Sequence, residues 1–163
     1  MATSTYIPLA TLTLAVAASE VSFGSISQDY SDLVLMIEHK GATSSVQGLI
    51  TLNGDGGTNY KYVYIYNTGS SSGSSAETAA RHFNTESGTT TVANITKMEI
   101  FDYSASDKHK STLAHNGRTG SIQTIVSGRY ASNTAISSIA IGVNSGSFAI
   151  GSTFKLFGIH GEV

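Results

Sequence analysis

The stretch NYKYVYIYN, Asn59–Asn67, places Tyr60, Tyr62, Tyr64 and Tyr66 at every second position. Successive side chains of a β-strand point to opposite faces, so the four rings share one face and Lys61, Val63 and Ile65 share the other. The same period of two recurs near the end of the chain. There Ser137, Ile139, Ile141 and Val143 alternate with Ser138, Ala140, Gly142 and Asn144. DLVLMIEH, Asp32–His39, has five consecutive apolar residues and reads as a central strand buried on both faces. ITKMEIFDY and KHKSTLAH flank SASD as a hairpin, and VQGLITLN, SIQTIVSGRY and TFKLFGIHG add further strands. The expectation is an all-β single domain over residues 1–163, with about nine or ten antiparallel strands in a sandwich or barrel. Residues 67–90 are expected to form a mobile Ser/Gly-rich loop, with one short helical turn in SSAETAARHF.

The tyrosine strand allows two orientations. Four buried phenols would each need a hydrogen-bond partner. That favours Val63 and Ile65 toward the core and four rings on the surface. Tyr60, Tyr62, Tyr64 and Tyr66 then make a candidate interaction face, suited to a partner protein or to stacking on sugar.

Composition bounds the function. Charged residues make up 12% of the chain and the formal net charge is −2, with no Lys or Arg before Lys40. No basic footprint exists for nucleic acid or anionic lipid. No apolar run reaches the ~18 residues of a membrane helix. The absence of cysteine removes disulfides, thiolate metal sites and a Cys nucleophile. IPLATLTLAVAAS has the look of a signal-peptide apolar region. No charge precedes it, however, and its alternation predicts an N-terminal strand.

Motifs with chemical content have plain competing explanations. GSSSG, Gly69–Gly73, matches a hydrolase nucleophile pattern but lacks the strand-turn-helix setting that the motif needs. NGDGGTN, Asn53–Asn59, carries calcium-type oxygens, yet position twelve of that register is Tyr64; a turn is expected. DYSASDKHK, Asp102–Lys110, concentrates Asp, Tyr, Ser, Lys and His at a hairpin tip, where such side chains organise the turn. The five histidines, His39, His82, His109, His115 and His160, show no metal-ligand spacing. NIT at Asn94 is a short glycosylation match of low specificity. No catalytic, cofactor or metal set is expected.

Four stretches in order resemble a family of small tailed-bacteriophage virion proteins. They are MATSTYIPLATLTLA with VSFGSI and YSDLVLMI, then LNGDGGTNY, then FDYSASDKHKS, and last NTAISSIAIGVNSGSFAIGSTFKLFGI. The resemblance spans most of the chain outside residues 67–90. It implies a jelly-roll-like sandwich and a structural role without catalysis. The implied role is a capsid decoration, or cement, protein bound to the major capsid protein, with a homotrimer as the expected assembly. The alternative is a tail-associated module that binds host glycan. The implied location is the virion, assembled in host cytoplasm, where a cysteine-free chain needs no disulfide. Ala2–Thr13 could then act as an arm that extends a neighbour's sheet.

Overall fold

The computed structural model describes residues 5–120 and 122–160. Among these residues there are twelve strands and no helix. In chain order they are β1 (Tyr6–Thr13), β2 (Glu20–Phe23), β3 (Asp32–His39), β4 (Val46–Leu52), β5 (Tyr60–Asn67) and β6 (Ser72–Ala80). Then come β7 (Phe83–Gly88), β8 (Asn94–Phe101), β9 (Lys110–Arg118), β10 (Gln123–Tyr130), β11 (Ile139–Val143) and β12 (Thr153–Ile159). The larger sheet has the order β1-β12-β3-β8-β9-β10-β5-β6 and the smaller one β2-β11-β4-β7. Every pairing is antiparallel.

Alternation builds the core. Leu33, Leu35 and Ile37 of β3 face Val46, Ile50 and Leu52 of β4 and Ile139 and Ile141 of β11 within one buried cluster. Phe148, from the connection before β12, packs edge-on against Phe154 at 5.2 Å between ring centres. The central reading of DLVLMIEH holds: β3 lies between β12 and β8, and Val34 on its other face is also buried. The hairpin across SASD holds as well, as β8 and β9 pair in register.

Two expectations are corrected. The first concerns β5, whose orientation is the reverse of the expected one. Tyr60 and Tyr62 are buried and Tyr64 and Tyr66 half-buried, whereas Val63 and Ile65 are each 57% exposed. The physical reason is that the fold supplies partners for the inner phenols. The Tyr60 hydroxyl accepts from the Leu52 amide at 2.9 Å and donates to the Asp55 carbonyl at 3.0 Å. The Tyr62 hydroxyl accepts from the Asn84 amide nitrogen at 3.1 Å. Phe83 from β7 stands edge-on to Tyr60, with ring centres 5.1 Å apart, and leans on Tyr62 at 6.0 Å. Aromatic contacts of this kind add to the gain from burial.

The second correction concerns residues 67–90, which hold two strands where a Ser/Gly-rich loop was expected. Thr68–Ser71 form the hairpin turn, Ser72–Ala80 pair with β5 as β6, and Phe83–Gly88 pair with β4 as β7. The expected helical turn lies within this strand and its turn. Ladder bonds to β5 hold β6 in place despite its weak strand propensity. Gly73 has a packing reason, because a Cβ there would fall 2.8 Å from the Tyr66 hydroxyl. The strand count also exceeds the expected nine or ten. At the N-terminus, β1 pairs with β12 of its own chain, so Tyr6–Thr13 is not a free arm; residues 2–4 of that proposed arm lie outside the described residues.

Gly128 lets Phe83 reach the larger sheet. A Cβ at this position would meet Thr112 Oγ1 at 2.6 Å and Phe83 Cε1 at 2.7 Å. Gly128→Ala should therefore destabilise the fold by about 1–3 kcal/mol through overpacking. Chemical denaturation checks this, and a midpoint equal to the parent's contradicts it.

Candidate functional site

The smaller sheet ends at β7, and the larger sheet continues past it through β10, β5 and β6. A cleft of about 110 Å³ lies there. Tyr62 and Tyr64 of β5, Glu77 of β6 and Val126 of β10 meet Gln47 of β4 and Asn84 and Glu86 of β7 around it. The rings of Tyr62, Tyr64 and Tyr66 follow one another at 6.2 Å intervals with tilted planes.

A buried polar row leads into the cleft. Thr96, Asn116 and Thr124 are direct cross-strand neighbours on β8, β9 and β10. Asn94 donates to Thr96 Oγ1 at 2.9 Å, and Thr96 donates to Asn116 Oδ1 at 2.7 Å. Asn116 donates in turn to Thr124 Oγ1 at 3.1 Å, and Thr124 and Glu86 both line the cleft. The Thr96 hydroxyl accepts from Asn94 and donates to Asn116, so the row is directed toward Thr124 at the cleft. Burial raises the Glu86 carboxyl above the usual range, while Thr124 and Arg118 oppose the rise. Burial first, and then the nearby Glu77, push the Tyr62 phenol up to about 12. Asn84 places its amide nitrogen on Tyr62, and its Oδ1 is buried without a partner in the protein.

The opposite face of the same sheet is apolar. Val63 and Ile65 of β5, Ile125 of β10 and Leu113 of β9 are all exposed large side chains. Ile65 sits directly across from Ile125, and Val63 and Leu113 share the next row across Ser127. Single exposed apolar residues are ordinary, but a contiguous group marks an interaction surface.

The four expected tyrosines thus divide. Tyr60 is core, Tyr62 and Tyr64 line the cleft, and Tyr66 lies over Gly73 at its end. Sequence reading missed Glu77, Asn84, Glu86, Asn116 and Thr124. A signal for two of them was present, because Asn116 alternates in phase with Thr112 and Ala114, and Thr124 is the inward neighbour of Val126. Polar side chains at core-facing positions mark a polar site or a structural network.

The other motifs settle into structural roles. Asp55 accepts from the Gly57 amide, Asn59 and Tyr130 at 2.7, 2.8 and 3.0 Å, which lowers its pKa; the Asn59 bond is the largest cause. Asn53 and Gly54 take successive positive φ values of 54° and 65°, as a tight turn requires. GSSSG forms the β5–β6 turn and the start of β6. Asp102 is exposed, pairs with Lys108 at 3.3 Å, and accepts no bond from His109. Lys110 is fully buried, with its ammonium donating to the carbonyls of Lys108, Ser132 and Asn133. Asn94 is buried and committed to Thr96, so it is not an accessible glycan acceptor. Among the described residues no group of three or more His, Asp or Glu could hold a metal ion.

No protein-family model matches the chain, and no curated protein matches its sequence.

His39 supplies a pH test of the core. Its ring is buried edge-on to Phe148, and burial lowers its pKa from 6.5 to about 4 despite the bond to the Val46 carbonyl. The unfolded chain therefore takes up this proton at higher pH than the folded one. Stability should fall as pH drops from 6.5 toward about 4, by up to about 3 kcal/mol, and then level off for this group. Denaturation midpoints across that window, compared with those of His39→Gln, check the effect. Equal slopes in the two proteins contradict it.

Proposed function

We propose that the chain is a bacteriophage virion structural protein, a decoration protein that binds the outer surface of the major capsid protein shell and stabilises it. The observation that carries this reading is the apolar group Val63, Ile65, Leu113 and Ile125 on the outer face of the larger sheet. The Lys97–Glu99 pair, at 2.7 Å, lies beside it and supplies the polar border of a protein interface. Along one edge of the same sheet runs β6, nine residues of mainly small, uncharged side chains. Such an edge offers free backbone groups to a partner strand.

The strand order supports a jelly-roll variant. From β2 to β8 the chain passes between sheets as small, large, small, large, large, small, large. These crossings match those of the first seven strands of an eight-stranded jelly roll, a fold used in viral shells. On this reading β8, β9 and β10 replace one strand by a three-strand meander, β11 completes the roll, and β12 and β1 extend one edge. Fold alone does not bring function, so the docking face carries the weight.

Purified protein added to capsids lacking it should bind saturably, in fixed stoichiometry, and raise the temperature of capsid disruption. Ile65→Asp combined with Ile125→Asp should abolish binding without changing the circular dichroism spectrum. Absence of binding by the parent protein, or undiminished binding by the double variant, overturns the proposal.

A further inference from the structure

We propose that the cleft beside β7 binds a neutral or N-acetylated hexose unit of a polysaccharide. This site lies on the face of β5 opposite the docking patch and does not depend on it. Sugars offer two things to a protein, a face of C–H groups and a ring of hydroxyls. Aromatic faces meet the first, and fixed carboxylates and amides meet the second. The cleft presents both. Tyr62 and Tyr64 stand side by side along one wall, their ring centres 6.2 Å apart. Glu77 and Glu86 enter from β6 and β7, and Asn84 contributes an amide.

Three features favour a built site over an incidental gap. The directed row that starts at Asn94 ends at Thr124 in the cleft wall, which Glu86 also lines. Asn84 Oδ1 is buried and has no partner in the protein, so a hydroxyl donor there would satisfy it. The Tyr62 hydroxyl is fixed by the Asn84 amide nitrogen at 3.1 Å and its ring rests on Phe83, so the wall is held in place.

Size and charge narrow the ligand. A space of about 110 Å³ is too small for a drug-sized molecule and admits one edge of a single sugar ring, the rest of which stands outside it. Tyr66 continues the tyrosine row beyond it, half-buried against Gly73, so the wall extends along the direction a chain of sugars would follow. The two carboxylates repel sulfated or uronic acid polymers. Arg118, which acts on Glu86, also donates to the Ser87 carbonyl at 3.0 Å.

The test uses the purified full chain, titrated with maltoheptaose, cellohexaose and chitohexaose, with polygalacturonate as the acidic control. The chain has eight tyrosines and no tryptophan, so tyrosine fluorescence reports on the rings directly. At least one neutral probe should bind saturably, with polygalacturonate much weaker. Tyr64→Ala and Glu86→Gln should each weaken binding roughly tenfold or more, the loss expected for one good contact. Ile65→Ser, on the other face of the same strand, should leave binding unchanged. Thermal melts of each variant separate loss of the site from loss of the fold. No binding by all three neutral probes overturns the proposal, as does full binding by a folded Tyr64→Ala variant. Polygalacturonate binding as tightly as the neutral probes also overturns it.

Discussion

The ring of Phe83, set over Gly128 and between Tyr60 and Tyr62, fixes which way β5 faces. It reaches from the edge of the smaller sheet to the inner surface of the larger one. A strand has only two faces, so one anchored ring pair decides all eight residues of β5. With Tyr60 and Tyr62 inside, Val63 and Ile65 must stand outside. Tyr64 and Tyr66 must then follow the inner surface beyond β7, where the opposing sheet has ended. The apolar outer face and the tyrosine-lined cleft are two consequences of one register.

Much of the fold was legible because burial and period agree. The run DLVLMIEH is apolar on both faces and became a central strand. The alternation at Ile139 and Ile141 became the buried core face of β11, between β2 and β4 in the smaller sheet. The orientation of β5 was not legible, because its two faces are both apolar in character. The deciding groups come from elsewhere in the chain: the Leu52 amide, the Asp55 carbonyl and Asn84 satisfy the phenols only after the sheets meet. The strand β6 was hidden for a different reason. SGSSAETAA has little strand propensity of its own, and its ladder to β5 is a tertiary effect. Glu77 and Glu86 were invisible as a pair because they lie on separate strands whose pairing partners differ.

The inner surface of the larger sheet changes character across its width. At β3 and β12 it is hydrocarbon, with Leu35, Ile37, Phe154 and Leu156. At β8, β9 and β10 one row becomes Thr96, Asn116 and Thr124, joined by hydrogen bonds. At β5 and β6 it ends in tyrosine and carboxylate. A satisfied polar row inside a sheet rigidifies it and fixes strand register. In this chain the row also ends at the cleft, where Asn116 and Thr124 form part of its lining, linking the packing of the core to the cleft.

The inward register of β5 is the central claim, and the chain is well suited to a direct test because it has no cysteine of its own. Single cysteines placed at Tyr60, Val63 and Ile65 can be treated with a small maleimide under native conditions. Fast labelling is expected at 63 and 65, and labelling at 60 becomes fast only on unfolding. Fast labelling at 60 with protection at 63 and 65, in variants that retain the parent's circular dichroism, would contradict the inward register.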